Sequence, residues 1–130
     1  MASWNEVVQR VSRELDVELS GDAEFTVNIR RQDHTGAREQ LVVVSHYRSW
    51  GREMIEIRSA FGEASRYDSD KLLEDNLNLP LGAVARHGRY LVLVHKACLE
   101  DLSATGVMFL LTQLGLLADV LEGRTGEDLF

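Results

Sequence analysis

Cysteine and proline are nearly absent from this chain: one cysteine, Cys98, and one proline, Pro80, in 130 residues. A lone cysteine excludes an intrachain disulfide and any Cys-x-x-Cys metal or redox motif, and it fits a reducing compartment. Basic charge is also short. There are 14 Lys and Arg against 21 Asp and Glu, a net charge of −7. Basic clusters are small, such as Arg30-Arg31 and the Arg86/Arg89 pair, too little to track a phosphate backbone or an anionic membrane. No apolar run reaches the ~20 residues a membrane span needs. The longest, Gly106 to Leu121, is broken by Thr112, Gln113 and Asp119 and reads as a buried helix. The start, Met1 to Glu6, lacks a basic segment followed by an apolar one, so no signal peptide is expected and the cytoplasm is the expected location.

What is present is the composition of an ordinary globular protein, 45% hydrophobic and 27% charged. The length suits one domain over residues 1–130, with 123–130 expected to be a flexible acidic tail. Ser3 followed by Glu6 forms a capping box, and Trp4, Val7, Val8, Val11 and Leu15 recur at helical spacing. A first helix is therefore expected from Ser3 to Leu19. Phe25, Val27 and Ile29 alternate with polar residues, the period of a half-buried strand. Leu41 to Tyr47 and Met54 to Phe61 give two more strands, with Ile55, Ile57 and Ser59 facing inward. Leu72, Leu73 and Leu77 mark a short second helix that stops before Pro80. Leu81 to Arg86 and Arg89 to Lys96 form a hairpin turning at His87-Gly88. Ser103 caps a last helix whose apolar stripe is unusually wide, adding Met108, Phe109, Leu116 and Val120 to the core face. The expected order is α-β-β-β-α-β-β-α: an α+β domain with a five-stranded antiparallel sheet and helices on one face.

Catalytic constellations are hard to find. His34, His46, His87 and His95 show neither H-x-x-x-H nor H-E-x-x-H spacing. A pair such as His46 and His95 could meet across strands. Cys98 follows an apolar strand without a local cation to lower its pKa, so it reads as a small hydrophobe rather than a nucleophile. Glu74-Asp75 reads as a solvated helix face. There is no G-x-S-x-G, no phosphate-binding loop and no G-x-G-x-x-G. The expectation is no enzyme, no metal and no cofactor.

Three segments carry a family resemblance. They are Leu72-Leu73-Glu74-Asp75-Asn76 in the second helix, Gly82-Ala83-Val84 at the start of the next strand, and Asp101-Leu102-Ser103 before the last helix. With the element order, these make the chain similar to the type III secretion chaperone-like fold, including YbjN-like proteins. The resemblance covers the whole chain in topology and Ser59 to Leu121 in motifs. It implies a non-enzymatic, acidic homodimer without cofactors that binds a segment of a partner protein. It also implies pairing through the second helix and the following strand, for which Leu73, Leu77, Leu79 and Val84 are the candidates. A small enzyme with a site on the sheet, or an immunity or adaptor protein for a folded partner, are the alternatives.

The partner surface is expected beside the first helix and first strand. Trp4 and Val8 lie on the margin of that helix, and the strand holding Phe25 and Val27 is a candidate sheet edge, open to an added strand unless the tail 127–130 caps it. Trp50, in a Ser-Trp-Gly turn, is the other candidate contact.

Overall fold

The computed structural model describes residues 2–33 and 36–123. The tail 124–130, and with it the expected acidic tail and edge cap, and His34 in its turn lie outside the described residues.

Helix α1 spans Trp4–Ser12. The Ser3 hydroxyl accepts a hydrogen bond from the Glu6 backbone N–H at 3.2 Å, half of the expected capping box, and Val7 and Val11 are buried. The helix stops seven residues earlier than its periodicity suggests. Val17–Leu19 instead forms a short strand, β1, that pairs antiparallel with Val27 through Phe25. Two periods compete here: Leu15 still packs on the core at helical spacing, but Val17-Glu18-Leu19 has the alternation of a strand and lies beside an unsatisfied sheet edge. Tertiary pairing wins.

The remaining elements are β2 (Glu24–Asp33), β3 (Gly36–Ser49), β4 (Arg52–Glu63), α2 (Ser69–Asn76), β5 (Ala83–His87), β6 (Tyr90–Cys98) and α3 (Ala104–Glu122). They form one antiparallel sheet in the order β1-β2-β3-β4-β6-β5. The fold is therefore α+β, as expected, but with six strands instead of five. The continuously apolar stretch of β6 is explained by its interior place between β4 and β5.

One face of the sheet holds the core. Phe25, Val27, Ile29, Val42, Val44, Ile55, Ile57, Phe61, Leu91 and Leu93 are buried there. Helix α3 lies across strands β2, β3, β4 and β6 and against α1, burying Val107, Leu111, Leu114, Ala118 and Leu121. It seats tightly at Gly115, where an added Cβ would stand 2.9 Å from both Ile29 Cγ1 and Val42 Cγ2. Its C-terminal end is tied down by the Tyr67 hydroxyl donating to the Leu121 carbonyl at 3.0 Å and by Arg38 Nε donating to buried Asp119 at 3.0 Å. By length and composition (19 residues, mean hydropathy 1.7) this helix would suffice to cross a membrane, but in the fold it roofs the sheet.

Where β3 and β4 part beyond Val43 and Arg58, the buried Gln40 amide takes over the cross-strand bonding. It donates to the Ser59 hydroxyl at 2.8 Å and to the Ala60 carbonyl at 2.7 Å. At the other edge α2 covers β5. The Asn76 side chain accepts from the Val84 N–H at 2.6 Å and donates to the Val84 carbonyl at 3.3 Å, acting as a one-residue strand. This explains physically the Asn that closes the Leu-Leu-Glu-Asp-Asn run.

Candidate protein-binding surface

The sites expected from sequence divide into those at the surface and those in the core. Phe25 and Val27 are fully buried under α1 and α3, so neither can touch a partner; their strand lies one place in from the edge because β1 covers it. Trp4 is half-buried. Its ring stacks on His46 at 5.2 Å between centroids and tilts over Phe25 at 5.3 Å. Val8 is half-buried beside it. These two serve chiefly to seat α1 on the sheet.

Trp50 is different. With Gly51 it makes the two-residue turn between β3 and β4, where Ser49 pairs with Arg52. Both turn residues have positive φ, 54° for Trp50 and 70° for Gly51. Glycine, asparagine and aspartate take that conformation easily; a bulky aromatic does not. The Trp50 side chain is 91% exposed, so no packing offsets the strain.

The second helix presents Leu73, 68% exposed, and Leu77, 90% exposed. Leu79 and Val84 are partly buried against the core. Between α2 and β5 lies a cavity of about 190 Å³ lined by Leu72, Leu73, Asn76, Val84, Arg86 and Leu91, among others. Asp75 faces inward, buried beside Lys71 at 3.7 Å, which corrects the expectation of a solvated Glu74-Asp75 pair.

Following Leu77, Pro80 and Leu81 run beside α3 and form one wall of a groove of about 550 Å³. Phe109, Leu110, Leu116, Leu117 and Val120 form the other wall, and Gln113 is its sole polar residue. No charged residue lines it, because Ala104 to Ala118 contains none. Phe109 stands 63% exposed at its margin. The excess apolar width of the last helix was legible in the sequence. That Pro80 and Leu81 would turn it into a groove was not, since it depends on how the α2–β5 connection crosses the helix.

Elsewhere polar side chains engage one another. His46 Nε2 is hydrogen-bonded to Glu53, which also accepts from Arg48 Nη1 at 2.6 Å. The His46 bond, and then Arg48, hold the Glu53 carboxyl below its ordinary value. At the end of α3, burial and then the charge of Asp119 push the Glu122 carboxyl up. His46 and His95 do not meet: His46 pairs with Ile55 and His95 with Ile57, on opposite sides of β4. Cys98 is half-buried at the end of β6. Among the described residues no three His, Cys, Asp or Glu side chains are grouped to hold a metal ion. No family model matches the chain, and no curated protein is detectably similar to it.

Proposed function

We propose that the chain is a non-enzymatic protein-binding module, chaperone-like or regulatory, that pairs with a second copy through α2 and β5 and holds an apolar segment of a partner protein against α3. One observation carries this reading. The core is already closed, yet Leu73, Leu77 and Phe109 remain exposed beside an uncharged apolar groove. Exposed apolar surface of this kind marks association sites. A two-fold pairing would set the same leucines against each other, with Leu79 and Val84 beneath them. The uncharged lining of the α3 groove matters because the chain carries −7: a partner segment held there buries none of the chain's acidic residues.

The partner surface then lies on α3 rather than beside β2, whose apolar residues are buried. Trp50 supplies a second contact at the hairpin tip. The cytoplasm remains the proposed location. An enzymatic reading gains no support from the His46–Glu53 pair, since Trp4 covers the ring and Arg48 engages the carboxylate.

Light scattering on the purified chain at tens of micromolar tests the pairing. The parent should weigh twice 14.6 kDa, about 29 kDa, and the Leu73→Asp/Leu77→Asp variant 14.6 kDa with cooperative unfolding retained. A parent of 14.6 kDa rules pairing out. For the groove, a partner identified by cross-linking should be lost from Leu116→Glu and Phe109→Glu; equal retention would place its site elsewhere.

A further inference from the structure

The cleft between α2 and β5 is walled by a regular pattern on each side. Ser69, Leu72, Leu73 and Asn76 follow one another at helical spacing and so share one face of α2. That face looks onto Val84 and Arg86, alternate residues of β5, and onto Leu91, which pairs with Arg86 from β6. The register therefore sets Val84, Arg86 and Leu91 on one side of the sheet, beneath the helix. Leu72 and Leu91 are buried at the base of the cleft.

The two ends of the cleft differ. At one end the Asn76 amide is spent on the Val84 backbone, donating to its carbonyl and accepting from its N–H. Arg86 stands at the other end, about 7 Å farther along β5. It donates from Nε to the Gly88 carbonyl at 2.8 Å, which steadies the guanidinium on the hairpin. Among the described residues no carboxylate pairs with it, in a chain with 21 acidic residues. The Asp68 carboxylate, at the start of α2, is turned onto the Asp70 and Lys71 N–H groups at 3.0 and 3.4 Å. Among the described residues Arg86 is the only charged one that lines the cleft. A steadied guanidinium without a counter-ion, at the end of a cleft based on leucine, suits an anion with an apolar body.

We propose that this cleft binds a short-chain aliphatic monocarboxylate. The carboxylate lies against the free Nη groups of Arg86, and the chain runs toward Asn76 between Leu72, Val84 and Leu91. A volume of about 190 Å³ holds roughly six water-sized groups, which sets the body at about five carbons. A single cation in the lining matches one carboxylate and not two. Every lining residue belongs to one chain, so the proposal rests neither on pairing nor on a partner held at α3.

Hexanoate is the probe, followed through the methyl groups of Leu72, Val84 and Leu91 in ¹H–¹³C spectra of the full chain. Hexylamine, with the same tail and opposite charge, is the control. Hexanoate should shift those methyls saturably with a Kd of about 1 mM. Arg86→Gln should weaken it roughly 5-fold or more, and Arg86→Lys, which keeps the charge but not the fork, should fall between. Arg86 is exposed, so both variants should keep the parent spectrum elsewhere. Hexylamine should leave the methyls unmoved. Equal shifts by hexylamine would show a merely apolar cleft and overturn the proposal, as would an Arg86→Gln variant that binds as tightly as the parent. So would hexanoate that fails to saturate by about 20 mM, or that moves only Leu116 and Leu117 in the α3 groove. A parent of 14.6 kDa in light scattering would remove the pairing and leave this result unaffected.

Discussion

Replacing Gly115 by alanine sets two effects of known size against each other. Alanine inside a helix is more favourable than glycine by about 1 kcal/mol. Against that, the new Cβ would stand 2.9 Å from Ile29 Cγ1, 2.9 Å from Val42 Cγ2 and 3.3 Å from Ile29 Cβ. Carbon atoms rest at about 3.5–4.0 Å, so α3 must lift by roughly half an ångström or more, or two β-branched side chains must leave their preferred rotamers. Ile29 and Val42 are pinned by ladder pairs on both strands and cannot give way cheaply. Overpacking of this sort costs about 1–3 kcal/mol. The clash should win, leaving Gly115→Ala destabilised by about 1 kcal/mol, or roughly 4 °C in Tm for a domain this size. Gly115→Val adds two more methyl groups and loses the propensity advantage, so about 3 kcal/mol or more is expected. Urea unfolding read by far-UV circular dichroism measures both. A Gly115→Ala variant stabilised by about 1 kcal/mol would mean that propensity alone governs. The close seating of α3 on β2 and β3 would then be refuted.

At the hairpin tip, Trp50→Asn should raise stability by about 1 kcal/mol, because asparagine accepts positive φ and an exposed indole contributes no packing; an unchanged or lower urea midpoint would contradict the strained turn. Asn76→Ala removes both bonds to Val84 and should cost about 1–2 kcal/mol, with hydrogen exchange accelerated at Val84 ahead of the rest of β5; uniform exchange along β5 would show that the side chain does not hold the edge. The acid limb of stability should depend on Glu53. Its folded pKa lies below the ordinary value of 4.5, so its contribution is present above 4.5 and is lost as pH falls through the lower folded value. Glu53→Gln should flatten that loss. Glu122 has the opposite sign: its pKa is raised, so its ionised form opposes folding at neutral pH and the penalty fades as pH falls. Glu122→Gln should raise the neutral-pH midpoint, and a lowered midpoint would refute the sign.

The sequence was most readable where one periodicity acted alone. Ser103 before an apolar helix, the inward row Ile55-Ile57-Ser59, and the Gly88 hairpin all stand close to their expected places, although the turn residues are Gly88-Arg89 rather than His87-Gly88. Reading failed where two periods overlapped. Val17 to Leu19 fits both the tail of a helix and a strand, and only the neighbouring edge of β2 decides between them. That same miss made the strand of Phe25 look like a free edge, which β1 in fact covers. Leu72, Leu73 and Leu77 were visible as a short helical stripe, whereas the surplus of apolar width was legible on the last helix. The α3 groove was not visible, since it is built by residues from separate segments, Pro80 with Phe109.

The roofing of the sheet by α3 has a consequence for synthesis. This helix follows every strand in the chain, yet it supplies the cover for β2, β3, β4 and β6 together. Until it is made, the inner faces of four strands have only α1 and α2 to shelter them, and any sheet the nascent chain forms leaves its apolar face open. The helix that completes the fold is also the most apolar piece of the chain. A chain cut short between Cys98 and Glu122 would therefore expose the apolar face of the sheet and would not make a smaller folded domain.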